Sequence, residues 1–309
     1  MVDDSQMSIQ LYMTDLPTPE GDHFFCPVRA LAENSPKLCE RLIVHSVVPV
    51  DTDGLSPQAY VAQRCGIPVA NVRLESFMPI AQDFTHATGL PRPGSPVSIP
   101  LKAQLPREED FFGGERMVLD IAATDVVVLI MLGSQPTFDA MLEYAQQAKL
   151  VDRIADRGDG LWWIFMGCGN PIGSDHKQLY QELADIAEEF NQKQKALGDN
   201  VRFIPFTAQS AEMIMGRSDV TITRSGGMTC GELLALASRG DRRRVYIHVE
   251  VVSEPQDTES REDPTDNVLD GGMVPWEAGN ARFVMKALGA RLITPATLLS
   301  RLESTRFVV

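Results

Sequence analysis

The sequence lacks the features that would place it in several broad classes of protein. Its five cysteines are scattered, with no CxxC pair and no spacing typical of metal ligands, so they predict free thiols in a reducing compartment rather than a disulfide framework. No run approaches the roughly 18 apolar residues that a membrane-spanning helix needs. The acidic start of the chain has no signal-peptide pattern. We therefore expect a cytoplasmic protein without a transmembrane segment.

Positive charge is also scarce. The 28 lysines and arginines are outnumbered by 42 aspartates and glutamates, which gives a formal net charge of −14. Because nucleic-acid-binding proteins need basic residues to neutralise phosphates, general nucleic-acid binding is not expected. The composition is otherwise that of a globular protein, with 44% hydrophobic and 23% charged residues. A chain of 309 residues is long enough for two domains.

Short apolar runs alternate with helical patterns along most of the chain. Repeated strand–helix units of this kind predict an α/β fold with parallel, doubly wound sheets. The strands are expected at 9–13, 42–48, 126–132, 161–166, 201–204, 220–223, 245–252 and 291–293. Between 79 and 110, six prolines should interrupt any regular element, which indicates a linker and a domain boundary near residue 120.

The most specific local pattern is a glycine turn between a strand and a helix, with the sequence TRSGGMTCGE at 223–232. Gly226 and Gly227 permit a tight turn and a close approach of a ligand to the backbone. The N–H groups and the positive dipole end of the following helix favour a phosphate. A structural alternative is that Thr229 and Glu232 form a capping box, which would satisfy the same N–H groups internally.

This pattern resembles a known family. The run from Ser218 to Glu232 is similar to the donor-site motif of glycosyltransferases of the MurG and monogalactosyldiacylglycerol-synthase type, in the GT-B superfamily. Three further segments follow in the family's order, at 132–135, 204–207 and 278–281. The resemblance covers about 121–309 well and the first 115 residues only loosely.

The resemblance implies a role for each matched position. The glycine turn would lie against the donor diphosphate, and Glu232 would hold the ribose hydroxyls. The segment at 132–135 would face the phosphates, the segment at 204–207 would bind the nucleobase, and the segment at 278–281 would lie beside the transferred sugar. The implied donor-binding residues are Gly133, Ser134, Gln135, Phe206, Thr207, Arg224, Ser225, Gly226, Gly227, Met228, Thr229, Glu232, Glu277 and Asn280.

Near the sugar the sequence departs from the family pattern. Enzymes of the MurG type have paired glutamines where this chain has Trp276 and Glu277. An ionised carboxylate accepts hydrogen bonds but cannot donate them, so the sugar and the nucleotide stay open.

Two residues are candidates for catalytic roles. Asp15 follows the first apolar strand and is a candidate base, although capping a turn is the commoner role of such an aspartate. Arg224 is suited to pairing with a phosphate. The histidines show no metal spacing, and His45 and His248 are interpreted as packed, hydrogen-bonded strand residues.

Together these inferences predict a GT-B-like chain with two Rossmann-like lobes. Residues 1–120 would form an incomplete N-terminal, acceptor-side lobe and linker, and 121–309 the nucleotide-sugar-binding domain. The expected reaction moves a sugar from a UDP-sugar or GDP-sugar to an acceptor hydroxyl, with no cofactor and no metal. The alternatives are a non-catalytic nucleotide-sugar-binding subunit that needs a partner chain or a missing N-terminal region, and a sugar-nucleotide epimerase on the same fold.

Overall fold

The chain divides into two compact units, each of which takes residues from both sides of position 120. Unit 1 comprises Met1–Ala87, Ser225–Gly240 and Leu269–Ala290; unit 2 comprises Thr88–Arg224, Asp241–Val268 and Arg291–Val309. The computed structural model describes residues 8–13, 15–76, 84, 87–102, 116–133, 138–155, 160–169, 174–198, 200–207, 211–250, 269 and 273–303. The predicted domain division at residue 120 stays a prediction.

Unit 1 is built on a small parallel sheet. Its strands are β1 Ile9–Tyr12, β2 Leu42–Val47 and β3 Val72–Glu75. They lie side by side in the order β1-β2-β3, and both pairings are parallel. The helices are α1 Asp22–Asn34, α2 Pro36–Cys39 and α3 Pro57–Cys65. The apolar faces of α1 and α3 pack with β2 around Phe25, Val44 and Val61, which are fully buried.

Unit 2 contains a six-stranded sheet in which every pairing is parallel. Its spatial order, β8-β7-β6-β9-β10-β11, places the third, second, first, fourth, fifth and sixth strands of this sheet in chain order side by side, which is the order of the dinucleotide-binding Rossmann sheet. The two-stranded antiparallel sheet of the unit precedes these strands. The strands are β4 Val97–Lys102, β5 Arg116–Ile121, β6 Val126–Met131, β7 Trp162–Gly167, β8 Val201–Phe206, β9 Val220–Thr223, β10 Arg244–His248 and β11 Arg291–Ile293.

The other helices alternate with these strands along the chain and belong to both units. In unit 2 they are α4 Phe138–Ala148, α5 Ser174–Leu197, α6 Ala211–Arg217 and α9 Leu298–Glu303. In unit 1 they are α7 Gly227–Ala237 and α8 Pro275–Leu288. The predicted α/β class with parallel sheets is confirmed. No helix in the described part of the chain is long and apolar enough to cross a membrane.

The strands of the large sheet are apolar because parallel strands are covered on both faces. Residues 127–130 of β6 and all six residues of β7 are buried. At the amino ends of β6 and β9, Asp219 Oδ2 accepts hydrogen bonds from Val127 N at 2.7 Å and from the fully buried guanidinium of Arg217 at 2.8 Å. These bonds fix the two central strands relative to each other.

The expectation that the prolines of 79–110 exclude regular structure is wrong over β4. Pro100 lies inside that strand, opposite Val118 of β5. A proline cannot donate to a strand ladder, so it is tolerated on an edge strand. In a two-stranded sheet each strand has an open edge, which accommodates the missing N–H.

Candidate functional site

In the six-stranded sheet of unit 2, the strands after β6 are added on one side of it up to β8 and on its other side from β9 onward. Open α/β sheets bind ligands beyond the carboxyl ends of the strands at such a reversal of the strand order. Gly133 follows β6 with a φ of 90°, a conformation that favours glycine. Arg224 follows β9. Both residues therefore lie at this reversal, and the donor-binding roles predicted for them stay predictions. Ser134 and Gln135 lie outside the described residues.

The segment predicted to bind the nucleobase lies elsewhere on the sheet. Phe206 is the last residue of β8, the edge strand two places away from β6, and Thr207 follows it. Both residues are buried, and the Phe206 ring packs edge-on against Phe165 with the centroids 6.2 Å apart. The role predicted for this segment depended on its backbone, and that role stays a prediction.

The capping-box alternative for the glycine turn is wrong. Helix α7 begins at Gly227, so its N-cap is Gly226, which has no side chain to cap the helix. Thr229 is the third residue of the helix rather than its cap. The helix starts earlier than the capping pattern suggests because Gly226 has an extended conformation, with φ −61° and ψ 140°, from which the helix can propagate directly.

The first turn of α7 consequently offers its N–H groups without a side-chain cap. The first N–H groups of a helix have no partner within the helix. A Cβ atom placed on Gly226 would meet none of the residues that the structure describes within 4 Å, so the described part of the chain leaves the backbone at this corner open. Met228, in the same turn, is 57% exposed. This arrangement leaves room for an anionic group close to the backbone.

Asn280 holds the residue before this turn in place. Its Nδ2 donates to the backbone oxygen of Ser225 at 3.0 Å, and Ser225 Oγ donates to the backbone oxygen of Glu277 at 2.7 Å. Asn280 and Ser225 are buried. Helix α8 begins at Pro275, a residue suited to the first helical position, so Asn280 lies in its second turn.

Asp15 lies in the same part of unit 1. Its carboxyl group is half-buried, and the Asn280 side chain lies near enough to lower its pKa. Burial raises the pKa of Asp15 above its ordinary value, and the Asn280 side chain and the charge of His23 counteract only part of that rise. The sequence offered turn capping as the commoner role for Asp15, whereas the structure connects it to a residue 265 positions away in the chain.

Two other predicted residues lie close to this aspartate. Burial raises the pKa of the Cys230 thiol in α7, and the charges of Asp15, Glu232 and Glu277 add to the rise, in that order. All three carboxyl groups are therefore near one buried thiol. Unit 1 thus brings together predicted site residues from its N-terminal segment, from α7 and from α8.

Close packing of the N-terminal segment on α8 supports this cluster, and sequence reasoning missed it. A Cβ atom on Gly279 would lie 2.5 Å from Thr18 Oγ1 and 2.8 Å from Glu20 Oε2, so any larger residue would require these side chains to shift. Arg282 Nη1 donates to Glu20 Oε1 at 2.7 Å. A glycine inside a helix is a signal of close backbone approach, and it could have marked this contact.

Both interpreted strand histidines are hydrogen-bonded, as expected. His45 Nδ1 lies 3.1 Å from Glu75 Oε1, and its Nε2 lies 2.6 Å from Gln10 Oε1. His248 is buried at the end of β10, with Nδ1 3.0 Å from the Tyr144 hydroxyl of α4. Burial lowers the pKa of His248 to about 4; the charge of Glu250 counteracts part of that lowering, and the charge of Arg224 adds to it. The His248 ring is therefore neutral near pH 7.

Within the described residues no group of three or more histidine, cysteine, aspartate or glutamate side chains is arranged to hold a metal ion.

Comparison with known proteins gives structural neighbours only. No protein-family model matches the chain, and no curated protein matches it. An α,α-trehalose-phosphate synthase (UDP-forming) from Burkholderia vietnamiensis is similar in structure, with 13% identity, a TM-score of 0.38, and coverage of 96% of this chain and 57% of that chain.

Two further solved structures show the same degree of likeness. The corresponding synthase from Burkholderia xenovorans, in complex with glucose-6-phosphate, has 9% identity, a TM-score of 0.36, and coverage of 97% and 60%. An E. coli structure with UDP-2-fluoro glucose has 13% identity, a TM-score of 0.33, and coverage of 96% and 62%. The chain spans less than two thirds of the length of these structures.

Proposed function

We propose that this chain binds a nucleoside-diphosphate sugar and transfers the sugar to an acceptor hydroxyl, as a glycosyltransferase of the GT-B type. The observation that carries the proposal is the start of α7. The helix begins directly at a glycine pair with no side-chain cap and with open space at Gly226, which suits the approach of a diphosphate to backbone N–H groups. The strand order of unit 2 supports the same reading, since it is the order of a nucleotide-binding sheet.

The leaving diphosphate gains negative charge as the bond to the anomeric carbon breaks. On this proposal the N–H groups of Gly227, Met228 and Thr229 stabilise that charge, together with the positive end of the α7 dipole. Arg224 adds a positive charge at the carboxyl end of β9. No metal ion and no organic cofactor are part of the proposal.

The acceptor hydroxyl must lose a proton as its oxygen attacks the anomeric carbon. Asp15 is the proposed base, because burial raises its pKa towards the range in which a carboxylate accepts a proton more readily. Asn280 lies near Asp15 and donates a hydrogen bond to the backbone oxygen of Ser225. This assignment makes Asn280 a positioning residue rather than a direct sugar contact, because its amide is already engaged within the protein.

The other donor contacts are proposed from the resemblance alone. The Glu232 side chain binds the ribose hydroxyls, Glu277 lies beside the sugar, and the backbone at Phe206 and Thr207 binds the nucleobase. The phosphates also contact the loop after β6, at 133–135. UDP is the proposed nucleotide, and GDP is the alternative that a binding test separates. Whether a partner chain completes the acceptor side is tested by the activity of the purified chain alone.

Calorimetric titration of the purified chain with UDP and with GDP tests the proposal. We expect one of them to bind and the Glu232→Ala variant to bind at least about tenfold more weakly, since one hydrogen bond to a charged group contributes about 1.5 to 3 kcal/mol. Glu189→Ala, the same substitution at an exposed position of α5, serves as the control and should bind normally. Absence of binding by the unmodified chain to either nucleotide would contradict the proposal.

Turnover separates the enzyme from its alternatives. Release of the nucleoside diphosphate from a nucleotide sugar by the purified chain supports a transferase, whereas a changed sugar on an intact nucleotide identifies an epimerase. Binding with neither reaction identifies a binding subunit.

A further inference from the structure

An exposed aromatic surface lies on unit 1 at the start of α8. Trp276, the second residue of that helix, is 38% exposed, and the centroid of its ring lies 5.1 Å from that of His23. The exposed His23 ring also contacts Phe24, with the centroids 3.8 Å apart. Because a tryptophan ring has a large apolar surface, a ligand that covers it gains the free energy of removing that surface from water.

Two carboxyl groups accompany these rings. His23 lies close enough to the half-buried Asp15 for its charge to act on that carboxyl group. Glu277 follows Trp276 in α8, and both Asp15 and Glu277 are near the Cys230 thiol. All of these residues belong to unit 1. The surface therefore combines aromatic rings with hydrogen-bond acceptors.

The surface lies at the ligand-binding edge of the small sheet. Asp15 follows the carboxyl end of β1, and α1, whose first turn carries His23, is the next α-helix along the chain. Parallel α/β sheets bind ligands beyond the carboxyl ends of their strands, where the following helices begin.

A pyranose ring has the chemistry that this surface matches. Its C–H groups form an apolar face that packs on an aromatic ring, and its hydroxyl groups donate to carboxylates, which accept hydrogen bonds but cannot donate them when ionised. An anion would be repelled by Asp15 and Glu277, and the nearby Arg282 is already paired with Glu20 at 2.7 Å. A purely aliphatic ligand would leave the carboxylates without donors.

We propose that the acceptor is a carbohydrate, whose pyranose ring packs on Trp276 and His23 and presents a hydroxyl group to Asp15. This inference rests on the proposed function and names the class of its acceptor. It also gives a role to Trp276, at which the sequence departs from the MurG type.

Tryptophan fluorescence tests the proposal on the intact chain. Trp162 and Trp163 are buried in β7, so quenching should report mainly on Trp276. Acrylamide is the quencher, because the net charge of −14 would repel iodide. With and without saturating UDP, the probes are the methyl glycosides of glucose, galactose, mannose and N-acetylglucosamine. At least one should lower the quenching constant towards that of Trp276→Phe, whereas glycerol, which has hydroxyl groups but no ring, should not.

Variants give an independent measurement by saturation-transfer NMR of the bound glycoside. Trp276→Ala should weaken its binding by about three- to tenfold, the effect of one aromatic stacking contact, and Trp276→Phe should retain part of the affinity. Tyr12→Ala is the matched control, because Tyr12 is also exposed in unit 1 but is stacked on His45, with the centroids 4.3 Å apart. Thermal unfolding confirms that each variant is folded before its affinity is compared.

The outcomes separate this inference from the proposed function. If UDP binds but no glycoside protects Trp276, or if only an intact UDP-sugar protects it, the inference is overturned and the proposed function stands. Equal losses in Trp276→Ala and Tyr12→Ala also overturn the inference. If UDP and GDP both fail to bind the unmodified chain, both are overturned. Protection by a methyl glycoside, with weaker binding in Trp276→Ala alone, supports the inference.

Discussion

Replacing Gly226 by serine should change stability and nucleotide affinity in opposite directions. Gly226 is the N-cap of α7 and has φ −61° and ψ 140°, a conformation open to any residue. A Cβ atom there meets no atom of the described residues within 4 Å, so a serine side chain fits among them without strain. Serine is a better N-cap than glycine by a few tenths of a kcal/mol, and the loss of a glycine restricts the unfolded chain by about 0.4 to 1 kcal/mol.

The free energy of unfolding should therefore rise by about 0.5 to 1.3 kcal/mol, which corresponds to an increase in Tm of about 1 to 2 °C for a chain of this size. The serine hydroxyl would accept from the N–H groups proposed to bind the diphosphate, and its bulk would occupy the open corner. Loss of even one hydrogen bond to a charged phosphate weakens binding by about tenfold or more.

Denaturant unfolding and calorimetry with UDP measure the two effects on the same samples. Gly226→Ala is the matched control, because it adds bulk without a capping oxygen: it should weaken binding while changing stability little. A Gly226→Ser variant that is more stable but binds UDP with unchanged affinity would refute the role of these N–H groups. A Gly226→Ser variant that is less stable than the unmodified protein would refute the assignment of Gly226 as the N-cap.

Three further outcomes follow from the packing. Gly279→Ala should lower the free energy of unfolding by about 1 to 3 kcal/mol, measured by denaturant titration, because its Cβ would overlap Thr18 Oγ1 at 2.5 Å. Of the five cysteines only Cys26 is exposed, and burial raises the pKa of Cys65 to about 12, so mass spectrometry after brief alkylation should find a single modified thiol in the folded protein. The pKa of His248 is about 4 in the folded chain and near 6.5 when unfolded, so its contribution to stability is complete above pH 6.5 and is lost as the pH falls towards 4. Between pH 7 and 5 the unmodified chain should lose about 2 kcal/mol more than His248→Leu does in parallel unfolding curves.

The elements of the large sheet were predictable because their signal is local. Strand β9 has the predicted bounds, and β6 differs from its prediction by one residue, since a strand buried on both faces is a continuous apolar run. Helix α7 was expected to start about two residues later. The threonine that suggested a cap is inside the helix, because the glycine before it already has the backbone conformation of an N-cap.

The cluster around Asp15 was only partly predictable. Motifs could name Asp15, Glu232, Glu277 and Asn280 one at a time. Their association depends on packing between segments more than 200 residues apart, including the approach of the N-terminal segment to Gly279. No pattern within a short window carries that information.

The discontinuous make-up of unit 1 has a consequence for how the protein is made. Its first segment ends at Ala87, but its last segment ends at Ala290, so about 200 residues must be translated before the unit has all its parts, a delay of about 10 to 40 s at 5 to 20 residues per second. During that interval the early strands and helices emerge without α7 and α8. We expect the nascent chain to depend on chaperones at this stage, and the Asp15–Asn280 contact to be among the last that folding forms.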